Sequence, residues 1–241
     1  MGIFDRFGNR DEADPSAGAG AGAGLPTDGL AGSATRLVER LMDVGIDGRG
    51  QFDSARQVAE NARRHSANEE AAVDRIIADH LKLAAAGGFV TGLGGFITLP
   101  LALPANVGSF YVLATRMAAG IAVIRGYDIE KEEVRSAVLL SLVGADSDDL
   151  LKKAGYAGSG RMVNFAAERL PGPLLMAVNK AVGFRLLTQV GKKTFGRLGR
   201  GVPVVGGLVG AGLDTFMLKQ IGEHVRLEFP RRDVAGEITA G

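Results

Sequence analysis

Three residues on apolar stretches of the chain could do acid–base or electrostatic chemistry: His80, Arg116 and Asp214. Histidine changes charge near neutral pH, and a carboxylate can serve as a general acid or base. One hypothesis is therefore an enzyme with a pocket near these three residues, either a lipid hydrolase or a metal-dependent enzyme. The simpler interpretation of His80 is a core histidine, because it lies beside Leu81 on the apolar face of a predicted helix.

A metal site has little support in the sequence. His224 lies one turn before Glu228, but the H-E-x-x-H pattern is missing and no third ligand is close in the chain. The absence of cysteine removes thiolate ligands and thiol nucleophiles. A metal would need His80 and His224 to converge with Asp214 in space, and we predict neither a metal nor another cofactor.

Other catalytic and nucleotide-binding motifs fail on spacing. Ser159 does not satisfy the G-x-S-x-G pattern of serine hydrolases. The phosphate-binding pattern G-x-x-x-x-G-K-[ST] comes nearest to a match at positions 191–193. It fails there because Leu186, five residues before Gly191, stands where the first glycine belongs. The acidic residues at 146–149 lack the glycine and glutamate of a calcium loop, so we expect Asp146 to cap a helix instead.

Arg116 and Asp214 are opposite charges on otherwise apolar helices. Such charges can pair where two helices meet, and removing one partner of a buried pair costs about 3–5 kcal/mol. We therefore predict an Arg116–Asp214 ion pair in the core. The alternative is that Arg116 extends its charged end to the surface by itself.

A basic cluster precedes the last apolar helix: Arg185, Lys192, Lys193, Arg197 and Arg200. Residues 1–151 carry 14 basic and 21 acidic residues (net −7), whereas residues 152–241 carry 14 and 6 (net +8). Four to eight Lys or Arg beside an apolar helix are typical of docking to anionic lipid. The alternative is a solvated basic face. Nucleic acid is not an expected partner, because no recognised module or set of stacking aromatic residues accompanies the cluster.

Small residues recur at four-residue spacing in two apolar segments, Ala84, Gly88 and Gly92 in the first and Gly206 and Gly210 in the second. This spacing makes a groove in which another helix backbone can approach closely. We predict that both Gly-rich segments are helices packed in the core.

The first of these segments belongs to an uncharged stretch, residues 83–115. Pro100 and Pro104 are expected to divide it into two arms, because proline disfavours the helical conformation in the residue before it and removes a backbone N–H. We favour a hairpin buried in a bundle. An integral membrane hairpin over residues 83–124 is the alternative, which the charge of Arg116 opposes.

Helical signals dominate the rest of the chain. Helices are predicted to begin after Ser33, Asp53, Ser66 and Asp128, and to cover about 161–170, 173–190 and 203–229. The expected fold is all-α, a compact multi-helix bundle over residues 31–230. A disordered Ala/Gly-rich tail (1–30) precedes it and a flexible tail (231–241) follows.

Three stretches resemble the bacterial EcsC protein family in its actinobacterial form: GGFVTGLGGFITLPLALPANVGSFYVLATRMAAGIAVIRGYD at 87–128, NKAVGFRLL at 179–187 and VPVVGGLVGAGLD at 202–214. The resemblance runs from about Ser66 to Pro230. It implies a helical protein that is cytoplasmic or membrane-associated, and it implies no reaction, cofactor or catalytic residue.

We therefore expect a cytoplasmic, non-catalytic helical protein that associates with the inner face of the membrane through a basic and apolar surface. The expected partner is anionic lipid or a membrane protein such as a transporter.

Overall fold

The computed structural model describes residues 29–49, 52–93, 95–156, 170–197 and 203–232, with the helical backbone alone at 87–93, 95–107, 189–197 and 203–211. This described part is all-α, as predicted, and contains no strand. Its eight α-helices are α1 (Gly29–Arg40), α2 (Ala55–Arg64), α3 (Glu69–Leu93), α4 (Gly95–Ile124), α5 (Glu132–Ser141), α6 (Ser147–Lys153), α7 (Gly172–Arg197) and α8 (Pro203–Glu228). A π-helical segment, Leu41–Ile46, continues α1, and a 3₁₀ turn, Gly144–Asp146, leads into α6.

Helices α3, α4 and α8 form the centre of the bundle, and α3 packs most extensively against α8. At Gly222 of α8, a Cβ atom would lie 3.1 Å from the side chain of Ile77 and 3.4 Å from that of Met117. One turn later, Arg226 pairs with Asp74 of α3. Because later residues of α8 meet earlier residues of α3, the two helices are antiparallel.

A second layer covers this centre and includes α1, α5 and α7. Gly183 of α7 lies so close to α1 that a Cβ atom there would be 2.5 Å from the carbonyl oxygen of Ala34. Helix α5 is buried from Ser136 to Ser141 and contacts α4, α7 and α8. Its runs of Val, Leu and Ala therefore join the two layers into one hydrophobic core.

The uncharged stretch is divided at a different place from the one predicted. Helix α3 continues past Gly87 to Leu93, and α4 runs from Gly95 through both Pro100 and Pro104. Each proline removes one backbone hydrogen bond, but the other bonds of this 30-residue helix keep it continuous.

Two predicted helix caps are displaced by one or two residues. Ser54, rather than Asp53, caps α2: its Oγ accepts from the Gln57 N–H (3.3 Å), and Gln57 Oε1 accepts from the Ser54 N–H (2.8 Å). Asn68, rather than Ser66, caps α3, with its Oδ1 accepting from the Ala71 N–H at 2.9 Å.

Two other predicted caps lie inside or before their helices. Ser33 is within α1, and its hydroxyl donates to the Gly29 carbonyl at 3.2 Å. Asp128 accepts from the Glu130 N–H at 3.1 Å, in a turn that precedes the start of α5 at Glu132. Short polar side chains suit both turns and caps, which is why the pattern placed them only approximately.

The end of α8 is anchored on the end of α4. Phe229 is buried and makes an edge-to-face contact with Tyr127, with ring centroids 5.0 Å apart. The Arg232 N–H donates to the Arg125 carbonyl at 3.0 Å, and Arg231 pairs with Glu69 at 3.2 Å. The inner end of the predicted C-terminal tail is thus held. The rest of that tail, residues 1–28 and most of the predicted helix at 161–170 lie outside the described residues.

Candidate functional site

His80 lies on α3 and is 3% exposed, in agreement with a core position. Its Nδ1 is 2.7 Å from the Ile76 carbonyl oxygen, one turn earlier. A carbonyl only accepts hydrogen bonds, so Nδ1 carries the proton and Nε2 is left as an acceptor. Among the described residues, this buried Nε2 has no hydrogen-bond partner. His80 is therefore a core histidine with one unused acceptor.

Arg116 of α4 lies level with His80 of α3, because a Cβ atom at Gly120, one turn after Arg116, would be 3.5 Å from the side chain of Ile76, one turn before His80. Burial lowers the pKa of His80 to about 4, the Ile76 hydrogen bond opposes this effect, and the Arg116 charge adds to it. Burial also lowers the pKa of Arg116, while the nearby carboxylate of Asp53 raises it. His80 is consequently neutral at pH 7, whereas Arg116 remains charged.

The guanidinium of Arg116 is covered by the segment before α2. Its central carbon lies 5.4 Å from the centroid of the Phe52 ring, and Phe52 is itself half exposed. Its buried Nε has no hydrogen-bond partner within the described ranges. Among the described residues, no carboxylate makes an ion pair with Arg116.

The π-helical segment positions this cover. A Cβ atom at Gly45 would lie 2.8 Å from the side chain of Thr115, so the segment touches α4 directly beside Arg116. Gly48 then turns the chain with a φ of +72°, and its flank is filled by the backbone of Phe52 and Ser54. π-Helical segments are frequent at functional sites. Sequence patterns gave no sign of this one.

The predicted ion pair between Arg116 and Asp214 is not tested by these contacts and stays a prediction. Asp214 is half buried and has an interaction partner of its own. It precedes Gly222 by eight residues, or about 12 Å along α8, whereas Met117, the neighbour of Arg116, lies beside Gly222. Asp214 and Arg116 therefore lie at different levels of the bundle, which argues against an ion pair between them. Two of the three proposed pocket residues, His80 and Arg116, are brought together.

The predicted basic cluster begins with a residue that is already paired. The Arg185 guanidinium donates to Asp146, with 2.9 Å between Nε and Oδ2. This contact also corrects the prediction for Asp146, whose side chain makes no capping hydrogen bond to α6. Lys192, Lys193 and Arg197 belong to α7, but their side chains lie outside the description, as does Arg200 entirely.

Helix α7 has an exposed apolar stripe that sequence analysis missed. Met176 is 67% exposed and Phe184 is 46% exposed, with the exposed Lys180 between them at four-residue spacing. The opposite face of the helix is buried through Val178, Val182 and Leu186. The periodicity showed a helix with apolar residues, but periodicity alone could not show which apolar face has no cover.

A smaller exposed patch lies on the outer face of the α3–α8 pair. Phe216 of α8 is 59% exposed, and Lys219, one turn later, is exposed as well. Lys82 of α3 is exposed near the same level of the antiparallel pair and contacts Asp79 at 2.9 Å. The patch therefore combines one aromatic ring with two lysines.

The predicted packing glycines are only partly described. Ala84 is buried, and the backbone is helical at Gly88, Gly92, Gly206 and Gly210, but their packing stays a prediction. The close helix contacts that are described use Gly45, Gly183 and Gly222, which sequence analysis did not select. Each of these glycines lies outside the two Gly-rich segments, so a repeated small-residue spacing did not reveal them.

Neither a metal cluster nor a spanning helix occurs in the part of the chain that the structure describes. No three His, Asp or Glu side chains there are grouped so that they could hold a metal ion. No helix there combines the length and apolarity needed to cross a membrane.

The sequence profile of the EcsC protein family matches residues 51–232, which include α2 to α8 and the candidate site at His80 and Arg116. No curated protein and no solved structure matches the chain. The profile match covers most of the 241 residues, in agreement with the resemblance found from the three sequence stretches. The chain therefore belongs to the EcsC protein family.

Proposed function

We propose that this protein is a non-catalytic, cytoplasmic protein that binds anionic lipid at the inner face of a membrane, with α7 as the docking helix. The observation that carries the proposal is the exposed stripe of Met176, Lys180 and Phe184 on a helix whose other face is buried. A stripe that leaves two large apolar side chains in water is typical of a contact surface.

The charge of this region favours an anionic partner. Residues 170–213 contain six basic residues and no acidic residue. One of the six, Arg185, is occupied by Asp146, which leaves Lys180, Lys192, Lys193, Arg197 and Arg200. Each basic residue held close to an anionic surface contributes about 1 kcal/mol. Arg185 is thus removed from the predicted lipid-binding set, and Lys180 is added to it.

The apolar stripe supplies the second part of the binding energy. Transfer of a Phe or Met side chain out of water is worth about 1.5–3 kcal/mol when the side chain is fully buried. Interfacial helices bury their apolar face about 5–10 Å into the boundary between headgroups and acyl chains. Two partly buried side chains and a few charges support reversible, peripheral binding. The patch of Phe216, Lys82 and Lys219 has the same combination of chemistry and supplies a second contact.

Flotation with lipid vesicles tests the proposal. We expect the full chain to float with vesicles containing phosphatidylglycerol, to remain unbound with pure phosphatidylcholine, and to dissociate as the salt concentration rises. The double variant Met176→Ser/Phe184→Ser should bind at least tenfold more weakly, because it removes the apolar contribution and leaves the charge unchanged.

Leu227→Ser is the matched control, since Leu227 is 77% exposed on α8 near the anchored end of the helix. It should bind as the unaltered chain does. Equal binding to neutral and anionic vesicles would contradict the proposal. Binding to native membranes without binding to protein-free vesicles would also overturn it, and would favour a membrane protein such as a transporter as the partner.

A further inference from the structure

We propose that Arg116 and His80 together bind a phosphate group, carried either by a small soluble molecule or by a lipid headgroup. The site lies between α3 and α4 beneath the Phe52–Asp53 segment, and it is independent of the α7 surface. The argument rests on one buried charge and two unused hydrogen-bonding atoms.

The first argument is the uncompensated charge of Arg116. The residue is only 7% exposed, and within the described ranges no carboxylate pairs with it. Buried charges are normally paired, because removing an ion from water is costly. Asp53 acts on Arg116 from a greater distance, and the stacked ring of Phe52 supplies only a weak attraction. An anionic ligand would provide the missing partner.

The second argument is the pairing of donor and acceptor. In the part of the chain that the structure describes, Arg116 Nε is a buried donor without a partner, and His80 Nε2 is a buried acceptor without a partner. At pH 7 a phosphate or phosphate monoester can present both an anionic oxygen, which accepts from arginine, and a P–OH group, which donates to histidine. Sulfate has the anionic oxygens but no proton. The site should therefore distinguish phosphate from sulfate.

The surrounding charges permit one direction of approach. On α3, Asp79 directly precedes His80, is partly exposed and is held by Lys82 at 2.9 Å. On the covering segment, Asp53 is exposed and would repel an anion unless the segment shifts outward. The half-exposed ring of Phe52 stands over the guanidinium. A ligand would consequently reach Arg116 by replacing the Phe52 ring.

Nuclear magnetic resonance of the full chain with isotope-labelled histidine tests the site directly. The chain has only three histidines, His65, His80 and His224, so each ring nitrogen can be followed separately. Inorganic phosphate at pH 7 should shift the Nε2 resonance of His80 to a saturable limit. His224 is an internal control, because its Nε2 is also buried without a partner but should not respond.

Three further ligands separate the outcomes. Sulfate should leave the His80 Nε2 resonance in place, and an equal response to sulfate would overturn the proposed P–OH contact. Glycerol phosphate and a short-chain phosphatidic acid distinguish a soluble source from a lipid source, and a saturable His80 shift with either one supports the site. No shift of His80 with any of the three phosphates would overturn the proposal.

Arg116→Lys keeps the charge but removes the planar donor fork. It should weaken phosphate binding at least tenfold, while the unchanged resonances of His65 and His224 would show that the variant is folded. Binding undiminished in Arg116→Lys would show that the fork makes no contact with the ligand, and would remove Arg116 Nε from the site.

Discussion

Arg116 and Arg125 lie nine residues apart, one in α4 and one directly after it, and they are almost equally buried, at 7% and 6% exposed. Their surroundings differ. Arg125 pairs with Glu70 at 2.5 Å and lies 3.8 Å from Glu69. Arg116 has the ring of Phe52 and the more distant charge of Asp53, and in the described part of the chain it has no ion-pair partner.

The comparison separates a structural arginine from a candidate ligand-binding one. The contacts of Arg125 join the start of α3, the end of α4 and Arg232, which follows α8 and whose N–H donates to the Arg125 carbonyl. Its charge is satisfied within the fold. Arg116 has no such carboxylate partner in the described part of the chain, so equal burial of the two residues does not mean an equal role.

The largest effect is expected from Arg125→Met. Removal of the guanidinium takes the buried cation from Glu70 and leaves Glu69 with Arg231 alone, and it should lower the free energy of unfolding by about 3 kcal/mol. Urea denaturation followed by circular dichroism would measure the loss. A change below about 1 kcal/mol would mean that the pair behaves as a surface ion pair. Arg125 would then not be the structural arginine of the comparison.

A smaller effect on stability is expected on acidification, and it comes from His80, the neighbour of Arg116. Burial lowers the pKa of His80 from 6.5 to about 4 in the folded state, so the unfolded chain binds the proton more readily between these values. Stability should therefore fall as the pH decreases, and His80 should account for about 2 kcal/mol of the loss between pH 7 and pH 5.

The control for this pH dependence is His80→Gln, which has no charge to gain. The difference in unfolding free energy between the two proteins, measured by urea denaturation at both pH values, isolates the contribution of His80. An identical pH dependence in both proteins would mean that His80 is protonated in the fold without cost, despite the adjacent charge of Arg116.

The smallest effect is expected from Arg116→Met in phosphate-free buffer. Because no ion pair is broken, the free energy of unfolding should change by less than about 1 kcal/mol, or should increase. Thermal and urea unfolding beside Arg125→Met would make the contrast direct. A loss equal to that of Arg125→Met would show that Arg116 is a structural residue, and would remove the main reason for assigning it a ligand.

Much of the fold could be predicted because helical periodicity and the terminating Gly and Pro residues are local signals. Helices predicted at 173–190 and 203–229 correspond to α7 and α8, with ends that differ by no more than seven residues. The predicted break at Pro100 and Pro104 was wrong, because α4 runs through both prolines and its remaining backbone hydrogen bonds keep it helical.

The candidate site was less predictable, because its contacts join residues that are distant in the chain. His80 was correctly placed in the core from its neighbours on the helix. The partner of Arg185 is Asp146, 39 positions earlier, and the cover of Arg116 comes from residue 52. No spacing rule connects such pairs. Composition also could not show that Met176 and Phe184 face water, since an apolar stripe looks the same whether or not another helix covers it.

The close approach at Gly183 sets a practical limit on shortening the chain. The family profile begins at residue 51, yet α1 ends at Arg40 and rests backbone to backbone on α7. A protein trimmed to the matched residues would lose α1 and would open the side of α7 at Gly183 to solvent. Such a fragment would bind other surfaces non-specifically through the uncovered side of α7. Its binding to lipid vesicles would therefore say little about the intact protein.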